Sequence, residues 1–168
     1  MSKLKWLFVF VWFLTVVQPS FADDRAKIIG TWWKVVSFEI EVQETGELKP
    51  YFQNSPNPRG YLILTPEGRM MTVVTAEGRK LPQTPEDRSA AWGSMLAYSG
   101  MYRFEGDKFI TKVDVAWNEA FVGTDQVRFF KLEGDRLKII SAWWLNKVNP
   151  YMGLGKTVRA ILTWEPAK

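Results

Sequence analysis

Three short glycine-bearing turns constrain this chain more than any other feature. They read PEGR at 66–69, EGDK at 105–108 and EGDR at 133–136, and each separates two runs rich in β-branched and aromatic residues. Turns of this composition join neighbouring antiparallel strands into tight hairpins. The links between those hairpins are long, so short and long connections alternate. In an up-and-down meander, alternate connections lie at the same end. One end of the fold is therefore expected to be closed by tight turns and the other rimmed by long loops.

Eight strands are expected, over residues 31–42, 60–65, 69–75, 98–105, 108–117, 125–132, 136–142 and 156–165. The fifth alternates most cleanly, with Phe109, Thr111, Val113, Val115 and Trp117 on one face and Lys112 and Asp114 on the other, the pattern of a half-buried strand. A short ninth strand over 47–52 is an open alternative. One helix is expected over 85–97, where Thr84 suits an N-cap, Pro85 the first helical position and Asp87 the third. Eight such strands close into a barrel, which removes the exposed sheet edges and has room for packed side chains or one small ligand. The expected fold is an all-β, eight-stranded up-and-down antiparallel β-barrel with one short helix between the third and fourth strands. A membrane barrel needs an uncharged outer band about 25 Å tall; Lys34, Lys112, Asp114, Lys131 and Lys138 fall within the strand spans and oppose it.

The chain opens with basic MSKLK, an apolar run at 6–17 and small residues at Ser20 and Ala22. That is the layout of a secretory signal peptide cleaved after Ala22, and the run is short for a span that needs about 20 apolar residues. The expectation is a cleaved signal over 1–22, a single barrel domain over 23–168, no transmembrane segment in the mature chain and a periplasmic or extracellular, secreted product. Loss of Lys3 and Lys5 takes the net charge from +4 to about +2, too weak a surplus to suggest nucleic acid. Oligomeric state is not legible.

With no histidine and no cysteine, Ser-His-Asp and Cys-His sites and the usual zinc and copper sites are excluded. The acid-Gly turns read as hairpins rather than cation sites, and no metal or cofactor is expected. The polar groups concentrate instead at the long-loop rim, where the topology brings Glu39, Arg59, Asp125, Gln126, Arg128 and Arg159 to the level of Tyr61, Tyr98 and Trp117. Aromatic loop residues, Tyr51, Phe52, Trp143, Trp144 and Tyr151, cluster at the same end. This pattern suggests a cavity with an apolar floor and a polar collar, as ligand pockets have. The expected ligand-binding set is Tyr61, Tyr98, Trp117, Gln126, Arg128, Trp143 and Arg159. An inward arginine would favour an acidic, lipid-like ligand, since guanidinium pairs carboxylates in bidentate fashion. Two alternatives stand beside this: an isomerase or cyclase using Glu39, Tyr61, Tyr98 or Tyr102 for proton transfer, and an envelope interaction module using the aromatic rim. Carriage is favoured over catalysis.

Gly30-Thr31-Trp32 resembles the G-x-W signature of lipocalins, in which the Trp closes the barrel floor. WKVVSFEIE, RGYLILTPEGRM, YSGMYRFEGDKF and VGTDQVRFFKLEGDRLKI together resemble the bacterial and fungal lipocalin-like domain proteins, in order and over nearly all of 28–165. The resemblance implies a calycin-type barrel that binds a small hydrophobic or amphipathic molecule. It departs from the pattern at Thr111 and Lys112, where the family often has histidine, so any role of those histidines is absent here.

The doubled Trp32-Trp33 admits two readings, because adjacent strand residues face opposite ways. The G-x-W spacing selects Trp32 as a floor residue with Trp164, placing Val36, Phe38 and Ile40 inside and Glu39 outside. The run WKVVSFE selects Trp33, with Val35, Ser37 and Glu39 inside. A β-bulge would reconcile them; the apolar count favours Trp32.

Overall fold

The structure is a computed structural model that describes residues 21–147 and 149–168. The apolar run at 6–17 lies outside the described residues. The eight long strands are β1 (Trp33–Val42), β3 (Arg59–Leu64), β4 (Arg69–Thr75), β5 (Met95–Glu105), β6 (Lys108–Ala116), β7 (Asp125–Glu133), β8 (Arg136–Ser141) and β10 (Thr157–Pro166). They pair antiparallel with their neighbours in chain order, and β1 pairs with β10 to close the barrel. Two short strands flank the closure: β2 (Leu48–Pro50) beside β1 and β9 (Trp144–Leu145) beside β10. The open question at 47–52 is thereby answered by β2.

All three tight turns lie at one end, as their chemistry requires, and the long connections lie at the other. Two α-helices complete the fold among the described residues, α1 (Phe21–Ile28) and α2 (Pro85–Gly93). No helix among the described residues is long and apolar enough to cross a membrane. In α2 the Thr84 hydroxyl accepts from the Asp87 amide at 3.1 Å, and the Asp87 carboxylate accepts from the Thr84 amide at 3.1 Å. This reciprocal cap fixes the helix start. The helix ends earlier than 97 because Met95, Leu96 and Tyr98 join the β4 ladder, opposite Thr75, Val74 and Thr72.

Strand β1 corrects the reading of the two tryptophans. Its register against β10 slips between Val35 and Ser37, so a bulge at Val36 changes which parity faces inward. Trp33 and Val35 are buried below the bulge, and Phe38, Ile40 and Val42 above it. Trp33 is 2% exposed and Trp32 55%. Trp33, not Trp32, therefore belongs to the closed end, and Trp32 packs on the outer wall edge-to-face against Tyr61. The Trp33 indole N–H donates to the Ile28 carbonyl at 3.2 Å, which ties α1 across the closed end.

A second irregularity corrects the fifth expected strand. The β5–β6 register shifts between Ser99 and Gly100, leaving Asp114 as the extra residue and Val115 exposed. The displaced Asp114 carboxylate accepts two hydrogen bonds from the Arg69 guanidinium, at 3.1 and 2.7 Å, on the outer face. Opposite the bulge, Gly100 runs so close to β6 that an added Cβ would collide with the Lys112 carbonyl.

Aromatic rings pack together at the closed end. Phe104 stacks edge-to-face on Phe109 and Phe130, and Arg25 of α1 lies over the Phe104 ring at 5.0 Å while donating to the Gly106 carbonyl. At the β7–β8 turn, Glu133 meets Lys131 and Lys138, each at 2.8 Å. These hydrogen bonds pull its carboxyl down from 4.5 to about 2. A depressed acid stabilises the fold fully above its unfolded value and loses that contribution as pH falls through its folded one. In an NMR pH series Glu133 should therefore titrate near 2, and its share of stability should fade only between about 4.5 and 2.

Candidate ligand cavity

Above the packed end the barrel opens into a cavity of about 770 Å³. Leu62, Met70, Phe109, Leu162 and Trp164 line its deeper part, and Trp92, Trp117, Trp143 and Trp144 its mouth. The apolar lining follows from strand alternation: Val158, Ala160, Leu162 and Trp164 of β10 are all buried. Trp164, expected at the floor, is 2% exposed.

One cation interrupts this lining. Arg128 is the only basic side chain among the described residues of the wall. It enters the barrel on the same parity as Phe130, which is buried. A relay of hydrogen bonds holds it: Arg128 Nη2 donates to Gln126 Oε1 at 3.0 Å, Gln126 Nε2 donates to Thr124 Oγ1 at 2.8 Å, and that hydroxyl donates to the Phe121 carbonyl at 2.7 Å. Nη1 donates to the Val127 carbonyl at 2.8 Å. The guanidinium lies 5.8 Å from the Tyr98 ring centre. Burial pushes the Tyr51 hydroxyl up, with the Arg128 charge opposing that shift.

Arg128 forms no ion pair among the described residues. The one carboxylate lining the cavity among the described residues, Asp125, is engaged from outside by Arg103 at 3.3 Å and Lys112 at 3.8 Å. A guanidinium has five N–H donors, and the two protein carbonyl-type acceptors leave others available. The site thus offers a fixed positive charge inside a mostly apolar chamber.

Of the residues expected to bind ligand, Tyr98, Trp117, Gln126, Arg128 and Trp143 line the cavity. Two do not. Tyr61 faces outward with Trp32, because Leu62 and Leu64 take the inward positions of β3. Arg159 is also outside: its Nε donates to Glu41 at 2.7 Å, and its guanidinium lies 4.4 Å from the Trp143 ring centre. From that position it braces a mouth residue rather than contacting the chamber. Glu39 is on the outer face too, accepting from the Ser37 hydroxyl at 3.2 Å. Tyr102 sits below the cavity, where its hydroxyl donates to the Thr65 carbonyl at 2.9 Å.

Several lining residues went unnoticed in the sequence. Trp92 lies on α2, which buries nothing, and no signal in the sequence singled it out. Its N–H donates to the Trp117 carbonyl at 3.1 Å. Phe121 reaches the wall from a short 3₁₀ turn capped by Asn118, and Met152 from a second such turn capped by Asn149.

A family model described as a lipocalin-like domain matches residues 29–167. The chain belongs to the lipocalin-like domain family. Its closed eight-stranded barrel, tight-turn floor and loop-rimmed cavity are the architecture of a small-ligand-binding fold. A search of curated proteins found no match to the chain. The match covers both bulged strands, so this lipocalin-like barrel carries its doubled tryptophan inside the family domain, with Trp33 in the buried position.

Proposed function

We propose that this lipocalin-like protein is an exported carrier of a small amphipathic acid, with the ligand carboxylate on Arg128 and its apolar part in the chamber. The observation that carries this reading is Arg128, the one basic side chain among the described residues of a predominantly apolar wall, which forms no ion pair there. The chamber, about 770 Å³, falls in the range of pockets that hold drug-sized molecules. Burying about 300 Å² of ligand apolar surface supplies about 7.5 kcal/mol before association costs. Micromolar affinity needs about 8.2 kcal/mol, so a charge-assisted anchor is required to reach it. The signal-like segment at 1–22 supports export.

Displacement of a fluorescent fatty acid tests the anchor. Arg128→Gln should weaken binding of the acid about 10-fold to 100-fold, the worth of a charged hydrogen-bond partner, and leave the matching alcohol unchanged. Equal affinity of wild type and variant for the acid would sink the acidic-ligand reading. A catalytic reading has less support, since Glu39, Tyr61 and Tyr102, three of its four proton-transfer candidates, do not line the cavity.

A further inference from the structure

The loop between β8 and β10, residues 142–156, reads AWWLNKVNPYMGLGK and holds two lysines and no acid. Leu145 and Leu154 are 51% and 57% exposed, with Trp143 and Trp144 beside them. Neither leucine lines the cavity, so ligand binding does not account for them. Leu154 stands between Gly153 and Gly155, whose φ angles are 81° and 77°. That left-handed conformation, natural to glycine, holds an apolar side chain at the loop tip. Lys147 and Lys156 are exposed and form no ion pair among the described residues.

Across the mouth, Leu81 and Trp92 are exposed as well. At the opposite end each turn carries a base beside its acid, Arg69 near Glu67, Lys108 beside Asp107 and Arg136 beside Asp135. A loop whose exposed apolar tips are accompanied only by basic charge has the composition of a segment that approaches an anionic surface.

We infer that the open end docks on an anionic lipid surface through the 142–156 loop. Leu145 and Leu154 enter the interfacial layer, the tryptophans sit at headgroup level, where indoles concentrate, and Lys147 and Lys156 meet lipid phosphates. The apolar groups stand on two sides of an opening rather than on one flat face, and a fluid interface covers both at once. A docked mouth also lets an amphipath pass between bilayer and chamber without crossing water. The docking itself needs no ligand in the cavity.

The chain has no cysteine, so Leu154→Cys and Asp107→Cys each accept one environment-sensitive fluorophore on the full chain. With phosphatidylcholine vesicles containing phosphatidylglycerol, the label at 154 should brighten and shift to the blue while the label at 107 stays silent. The added pair Lys147→Gln and Lys156→Gln should raise the lipid needed for half-response about 30-fold, and Arg128→Gln should leave it unchanged. Silence at 154, as for a rim that captures a protein instead, overturns the inference. So does a response at 107 alone, or an equal response to pure phosphatidylcholine that ignores the lysine changes. Loss of acid binding in Arg128→Gln is read separately, so failure of one proposal does not imply failure of the other.

Discussion

Trp33→Ala is expected to lower the unfolding free energy by about 3–5 kcal/mol, and Trp32→Ala by about 1 kcal/mol. The two residues are neighbours of one type, so composition and local propensity are matched. Trp33 is 2% exposed, opposite Leu62 and Pro166 in the ladders. Its truncation removes a large buried surface, leaves a void and strips the Ile28 carbonyl of its indole donor. Part of the loss should appear as release of α1, which that hydrogen bond holds to the barrel. Trp32 gives up only an edge-to-face contact with Tyr61, while its carbonyl still accepts from the Ala167 amide. Urea unfolding followed by far-UV circular dichroism separates the two. Equal losses, or a larger loss for Trp32→Ala, would remove the bulge at Val36 from the account.

The contrast also shows which parts of the molecule local sequence carries. Turn chemistry is local, so PEGR, EGDK and EGDR were enough to order the strands and sort the loops into a closed and an open end. Strand facing is not always local. In β1 apolar residues occupy positions 33, 35, 36, 38, 40 and 42, which satisfies both parities, and only the pairing with β10 shows where the parity changes. The same holds at Asp114, whose bulge is stabilised by Arg69 from another strand.

The site divides along similar lines. Arg159 was legible as an outward residue, because Val158, Ala160, Leu162 and Trp164 alternate around it; proximity to the rim obscured that pattern. Arg128 was not, since Val127 and Phe129 on one face compete with Phe130 and Leu132 on the other. Tyr61 sits in an unbroken apolar run, YLIL, whose facing only the β3–β4 register resolves. Loop-borne wall residues such as Phe121 and Met152 carry no periodicity, and their reach into the chamber comes from capped turns.

Ala160→Phe should abolish useful binding while leaving the barrel intact. Ala160 lines the chamber, and its amide donates to the Ser141 hydroxyl at 2.9 Å. Ser141 is in turn the ladder partner of Arg128, so the new ring would stand beside the proposed anchor. Displacing about 100 Å² of ligand apolar contact costs about 2.5 kcal/mol, close to a 100-fold loss of affinity. Unlike Arg128→Gln, this change should affect acid and alcohol alike, because its cause is volume rather than charge. The ring enters open space, so unfolding free energy should stay within about 1 kcal/mol of wild type or rise. A folded Ala160→Phe variant that binds the acid as tightly as wild type would place the ligand outside the barrel. A variant that loses both ligands while Arg128→Gln loses only the acid would assign the chamber to the chain of the amphipath and Arg128 to its charge.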